Sequence, residues 1–136
     1  MTEAPTVRNY LQQVPAVATV GNDATTDVVE AEYAGTVSAV SYIPTAAITG
    51  ANTNTRSLSL VNKGTGAGTT VVATIQFNSG TNATANAPLT VPLSGTAANL
   101  TVNANDVLQW QSTHVGTGIA DPGGEAVVQI TRSATA

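Results

Sequence analysis

Asp106-Val107-Leu108-Gln109-Trp110-Gln111-Ser112, then Gly116-Thr117-Gly118, then Asp121-Pro122-Gly123-Gly124, then Glu125-Ala126-Val127-Val128-Gln129-Ile130-Thr131: the two ends of this stretch alternate with the two-residue period of a pleated strand. Leu108 and Trp110 share one face, with Val107, Gln109 and Gln111 on the other. Val128 and Ile130 repeat the pattern, with Gln129 and Thr131 pointing away. The middle is turn chemistry, because Pro122 presets φ for the second position of a turn and Gly123 accepts the positive φ of the third. The stretch reads as a hairpin with a long loop that carries the single tryptophan into a core.

Outward from it, the same period recurs. Residues 30–43 form one extended segment or two short ones broken near Gly35, with Val37, Ala39, Ser41 and Ile43 opposed to Ser38, Val40 and Tyr42, and Pro44 ends it. Residues 45–55 are a loop or strand-crossing connection, and residues 56–62 a strand with Leu58 and Leu60 inward. After a flexible glycine-rich connector, Val71, Ala73, Ile75 and Phe77 share a face in the clearest strand, residues 69–78. Leu89, Val91 and Leu93 alternate again, although Pro88 and Pro92 demote that piece to an edge strand or bulge. Leu100 and Val102 mark a short strand before the Asn103-Ala104-Asn105 turn. Short strands with polar turns between them predict an all-β fold: an antiparallel β-sandwich or a jelly-roll-like barrel.

Residues 1–27 differ. Val7, Tyr10, Leu11 and Val14 fall at the spacing of one helical face, and Pro15 would stop such a helix. About ten residues is too short for a helix that stands alone. The segment is expected as an extended arm or first edge strand laid on its own domain, or as an arm docking on a neighbouring subunit, ahead of a single β-sandwich domain at 28–136. Its apolar residues Val7, Tyr10, Leu11, Val14 and Val17 are the candidate interface residues, and deleting 1–27 is expected to weaken attachment without unfolding the domain.

Composition removes several function classes. With no cysteine, thiolate zinc and iron–sulfur sites are excluded. Only 9% of residues are charged, against about 25% in an average soluble domain, so Ser, Thr, Asn and Gln must solvate the surface. Arg8, Arg56, Lys63 and Arg132, in a chain of net charge −4, cannot make a phosphate-neutralising patch, so no nucleic-acid partner is expected. No apolar run approaches the roughly 18 residues of a helical membrane span, the start lacks the order of a signal peptide, and synthesis in the cytoplasm is expected.

Catalytic signatures are weak. A Ser–His–Asp arrangement of His114 with Asp106 or Asp121 is formally possible, as many serines are available, but no Gly-x-Ser-x-Gly nucleophile elbow occurs. Asp23, Asp27, Glu30 and Glu32 are close in sequence, and Glu30 and Glu32 would share a strand face, but a solvated face or a pair with Arg56 or Arg132 is the simpler reading than a calcium site. Lys63-Gly64-Thr65-Gly66-Ala67-Gly68 has the wrong order for a phosphate loop and reads as a hairpin turn. No enzyme activity, cofactor or metal is expected.

Val40-Ser41-Tyr42-Ile43-Pro44, Ala47-Ile48-Thr49-Gly50-Ala51, Arg56-Ser57-Leu58-Ser59-Leu60-Val61-Asn62-Lys63-Gly64 and Leu93-Ser94-Gly95-Thr96-Ala97-Ala98-Asn99-Leu100, with the 106–112 strand and Gly116-Thr117-Gly118-Ile119-Ala120-Asp121-Pro122-Gly123-Gly124, resemble small structural proteins of long-tailed bacteriophages. The resemblance spans about residues 33–132. It implies a capsid decoration (cement) protein: a virion component on the capsid surface, partnered with the major capsid protein, and a homo-oligomer, commonly a trimer. The rivals are a tail-tube or head-fibre component and a carbohydrate- or cell-binding β-sandwich.

Overall fold

A computed structural model of the chain describes residues 6–133. Among these residues nine strands form: β1 (Val7–Val14), β2 (Ala24–Glu30), β3 (Gly35–Pro44), β4 (Thr55–Gly64), β5 (Thr70–Gln76), β6 (Leu89–Thr90), β7 (Thr101–Val102), β8 (Val107–Val115) and β9 (Gly124–Arg132). They pair antiparallel from the outside inward: β1 with β9, β2 with β8, β3 with both β6 and β7, and β4 with β5. This is one long antiparallel ribbon. Rolling it up brings β9 against β3 and β8 against β4, which closes two sheets, β1-β9-β3-β6 and β2-β8-β4-β5. A ribbon rolled in this way is a jelly roll.

The two sheets bury the faces that alternation assigned. Leu58, Leu60, Leu108 and Trp110 line one inner face, and Val40, Tyr42, Ala126, Val128 and Ile130 the other, all buried. Trp110 packs on Tyr42 across the gap, with ring centroids 5.5 Å apart and planes tilted by 33°. Its Nε1–H is the one buried side-chain polar atom without a partner among the described residues. The glycine-rich turn after β4 makes the β4–β5 hairpin, as its composition predicts.

The opening stretch is not a hairpin. β8 and β9 belong to different sheets, and residues 116–123 cross from one to the other. Each strand buries one face against the opposite sheet, so the same alternation serves an arch across the roughly 10 Å between sheets as well as a hairpin. The crossing needs glycine at three points, Gly116, Gly118 and Gly123, all at positive φ. A Cβ on Gly118 (φ +80°) would clash with the Val20 carbonyl oxygen, and one on Gly123 (φ +77°) would come within 2.7 Å of the Ala16 nitrogen.

Of the two expectations for the N-terminal segment, the structure has the first edge strand laid on its own domain. Residues 1–5 lie outside the described residues, but Val7–Val14 is a strand along the whole of β9, not a helix, and residues 24–27 already belong to β2. Val14 and Val17 are buried members of this domain's own core. A boundary at 27/28 therefore cuts through β2, and deleting 1–27 would remove a sheet edge, contrary to the expectation that the domain would survive it.

Bulges account for the misread faces. In β3 the register slips between Val37 and Ala39, which turns Val37 to the same inner face as Val40 and Tyr42. In β5, Leu60 opposes Ala73 while Val61 opposes Val71, so the extra residue Val72 is buried beside Ala73 and Val71 is exposed.

Candidate functional site: two polar clusters and one open sheet face

The end of the sandwich crossed by residues 116–123 holds a buried polar network. Arg56, which enters on the inner face of β4, is 0% exposed. Its Nε donates to the Ile119 carbonyl at 2.6 Å, its Nη2 to the Val20 and Asn22 carbonyls at 3.0 Å each, and its Nη1 to Ser112 Oγ at 3.1 Å. Ser112 in turn donates to Asp121 at 2.7 Å, and the other Asp121 oxygen accepts from Tyr42 OH at 2.7 Å and the Gly123 N–H at 3.0 Å. Burial, then the Asp121 charge, pushes the Tyr42 phenol far above its ordinary range. These residues come from both sheets and two connections, and together they fasten the crossing loop. Ser112 spends its proton on a carboxylate, its oxygen faces a guanidinium and it is buried. That makes it a structural hydroxyl, not a nucleophile with a base beside it.

His114 stands apart from this network. Its ring Nδ1 lies 2.6 Å from Asp23 Oδ1, and its backbone N–H donates to the same oxygen at 2.8 Å. Those bonds, the backbone one foremost, hold the Asp23 carboxyl below its ordinary range. The two aspartates considered as triad partners are engaged elsewhere: Asp121 as above, and Asp106 with the Asn103 N–H and the Asn62 amide in a turn. The acidic residues also separate. Asp27 accepts from Gln109, while Glu32 lies in the turn after β2 and pairs with Arg8 at 3.0 Å. Neither Arg56 nor Arg132 takes the role expected of it; Arg56 is inside, and Arg132 stacks over Tyr33. Among the described residues no group of three His, Asp or Glu side chains could hold a metal ion.

The outer face of the β1-β9-β3 sheet is of another kind. The register puts Val7, Asn9, Leu11 and Gln13 beside Thr131, Gln129, Val127 and Glu125 of β9. Thr36, Ala39, Ser41 and Ile43 of β3 continue the rows. Glu125 is the only charge among these positions. Leu11 (58% exposed) and Val7 (53%) stand out from it, flanked by half-buried Val127 and Ile43. Of the five candidate interface residues, then, Val7 and Leu11 are on this face. Tyr10 is half-buried on the other side of β1 with its hydroxyl accepting from the Glu32 N–H, and Val14 and Val17 are in the core. Val127 and Ile43 were missed because only cross-strand register sets Val127 opposite Leu11 and Ile43 diagonally beyond it, opposite Glu125. The opposite outer face is polar and laced by its own hydrogen bonds, including Ser59–Thr74 and Gln111–Gln109.

The fold and these surfaces define a jelly-roll domain with a locked polar end and one open, nearly uncharged sheet face. No family model matches the sequence and no curated protein matches it. Two solved virus structures are similar in fold at low scores. A chain of infectious bursal disease virus, Gx strain, has 10% identity and a TM-score of 0.41, covering 96% of this chain and 33% of its own length. A chain of Desmodium yellow mottle tymovirus has 16% identity and a TM-score of 0.34, with coverage of 96% and 89%. The present chain thus spans about a third of the first of these.

Proposed function

We propose that this chain is a virion structural protein: a head decoration (cement) protein that sits on the outside of the mature capsid of a tailed bacteriophage and clamps neighbouring major capsid subunits. The observation that carries the reading is the outer face of β1-β9-β3, where Val7, Leu11, Val127 and Ile43 lie in a field of amides and hydroxyls with Glu125 as the sole charge. A face of this kind adheres through apolar burial and hydrogen bonding rather than through ion pairs. The sequence resemblance over residues 33–132 supplies the partner, and binding to the expanded shell alone would stabilise it by mass action. A sugar-binding role is disfavoured by the aromatics. Trp110, Tyr42 and Phe77 are buried, and Tyr10 and Tyr33 are half-buried under Arg8 and Arg132.

The test is to mix the purified protein with undecorated heads of the virus that encodes it and to read occupancy by cosedimentation and electron microscopy. Density on the outer shell, little changed between low and moderate salt and weakened by Leu11→Asp, is the expected result. Empty shells, or polymers that form without any shell, would reject decoration in favour of a tail-tube or fibre role.

A further inference from the structure

Hydrogen bonding alternates along an antiparallel strand pair, so one bond and the register assign every backbone group of β1. The Arg132 N–H donates to the Thr6 carbonyl at 2.7 Å, and Val7 to Val14 oppose Thr131 to Gly124 in unbroken order. Residues 8, 10, 12 and 14 therefore turn their N–H and C=O groups toward β9. Val7, Asn9, Leu11 and Gln13 turn theirs away, toward an edge where no strand follows among the described residues. β9 agrees from its other side, since the Ser133 N–H donates to Ala34 at the start of β3.

Other sheet edges of this domain are protected. The outer edge of β5 is taken up by residues 92–94, with the Thr74 N–H donating to Pro92 at 3.1 Å and the Ser94 N–H to Val72 at 2.8 Å. β2 is broken by a bulge at Val28. β1 is eight residues long, with no proline, lysine or bulge, and its only charged residue, Arg8, is tied to Glu32. A long, regular, unprotected edge is a template for another strand.

We propose that the edge of β1 pairs antiparallel with β1 of a second copy, about a two-fold axis at Asn9, giving one sheet continuous across two chains. The sequence of β1 is self-complementary in that register. Val7 opposes Leu11 of the second copy, Arg8 opposes its Tyr10, and Asn9 opposes its Asn9. The exposed apolar residues thus meet each other twice, and Arg8, which already lies 5.4 Å from the ring centre of its own Tyr10, meets a second aromatic ring. Shifting the axis from Asn9 to Arg8 would set the two arginines face to face. An isologous pair of this kind differs from the trimer that the sequence resemblance implies, and it requires no capsid, so it stands or falls independently of the decoration reading.

An edge of this length falls at the small end of specific interfaces, so pairing should grow with concentration. Sedimentation from about 5 µM to about 1 mM should show the mass rising from 13.6 kDa toward twice that value. The chain has no cysteine, which allows a register-specific test. In a hydrogen-bonded antiparallel pair the facing Cα atoms are about 5.5 Å apart, within disulfide reach. Asn9→Cys should therefore form a covalent dimer on mild oxidation at least about tenfold faster than Thr113→Cys, on the exposed outer face of β8. Asn9→Pro removes an N–H that faces the edge and one long, exposed side-chain bond from Gln129 at 3.3 Å, and it should stay monomeric while keeping the wild-type circular dichroism. A constant 13.6 kDa, a trimer, or Asn9→Cys cross-linking no faster than Thr113→Cys would each overturn the proposal. Should Asn9→Pro fail to fold, the cysteine comparison decides alone.

Discussion

Asp121→Ala tests the buried network most directly. The wild-type carboxylate accepts from Tyr42 OH, Ser112 Oγ and the Gly123 N–H, at 2.7, 2.7 and 3.0 Å, and is the only acidic group in the network that contains Arg56. Each buried donor left without an acceptor costs about 1–3 kcal/mol, and Arg56, which reaches the carboxylate only through Ser112, loses the one acidic group of its hydrogen-bond network. These costs overlap, since the Tyr42 and Ser112 hydroxyls can turn to other acceptors, so the expected loss is about 4 kcal/mol. Against a total stability of about 5–15 kcal/mol, that is a large share. Urea unfolding with an m of about 2 kcal/mol/M should show the midpoint falling by about 2 M with m unchanged. Asp27→Ala, which removes one exposed bond to Gln109, serves as the control and should move it by less than about 0.3 M. A fall of less than about 0.5 M for Asp121→Ala would refute the view that this carboxylate fastens the crossing loop.

Other expectations follow from single contacts. Tyr42→Phe removes one charge-assisted bond at 2.7 Å without opening a cavity and should cost about 1.5–3 kcal/mol by the same assay; no measurable loss would show that Asp121 is satisfied without it. Asp23 is held below its ordinary range by bonds from His114, so the stability it contributes is present above the unfolded value of about 3.9 and is lost as pH falls through the lower folded value. Melting temperature should therefore decline more steeply below about pH 4 in the wild type than in Asp23→Asn, and equal slopes would deny the linkage. Gly118→Ala combines a strained φ of +80° with a Cβ pressed on the Val20 carbonyl and should lower the melting temperature clearly, whereas Gly21→Ala, in open space, should not. Leu60→Ala, in the centre of the core, should cost about 2–5 kcal/mol through the cavity it leaves.

Alternation along the chain was enough to declare an all-β domain, to turn Leu58, Leu60, Leu108, Trp110, Val128 and Ile130 inward, and to place the β4–β5 hairpin at its glycine-rich turn. These are local properties, because a two-residue period and a turn's φ requirement are carried by neighbours in sequence. What alternation cannot carry is the identity of the surface each face is buried against. For that reason β8 and β9 read as partners although they lie in different sheets, and residues 7–14 read equally as an edge strand of their own domain or as an arm for a neighbour until strand pairing decided it. The bulges at Ser38 and Val72 are set by register with a distant strand, so the faces of Val37 and Val71 were not legible either. Arg56 shows the limit most plainly. A charged residue belongs outside unless acceptors surround it, and its acceptors, from residues 20, 22, 112 and 119, come together only when the ribbon has rolled up. The open sheet face has the same origin, since Leu11 comes opposite Val127, and Ile43 joins the same face, through strand pairing alone.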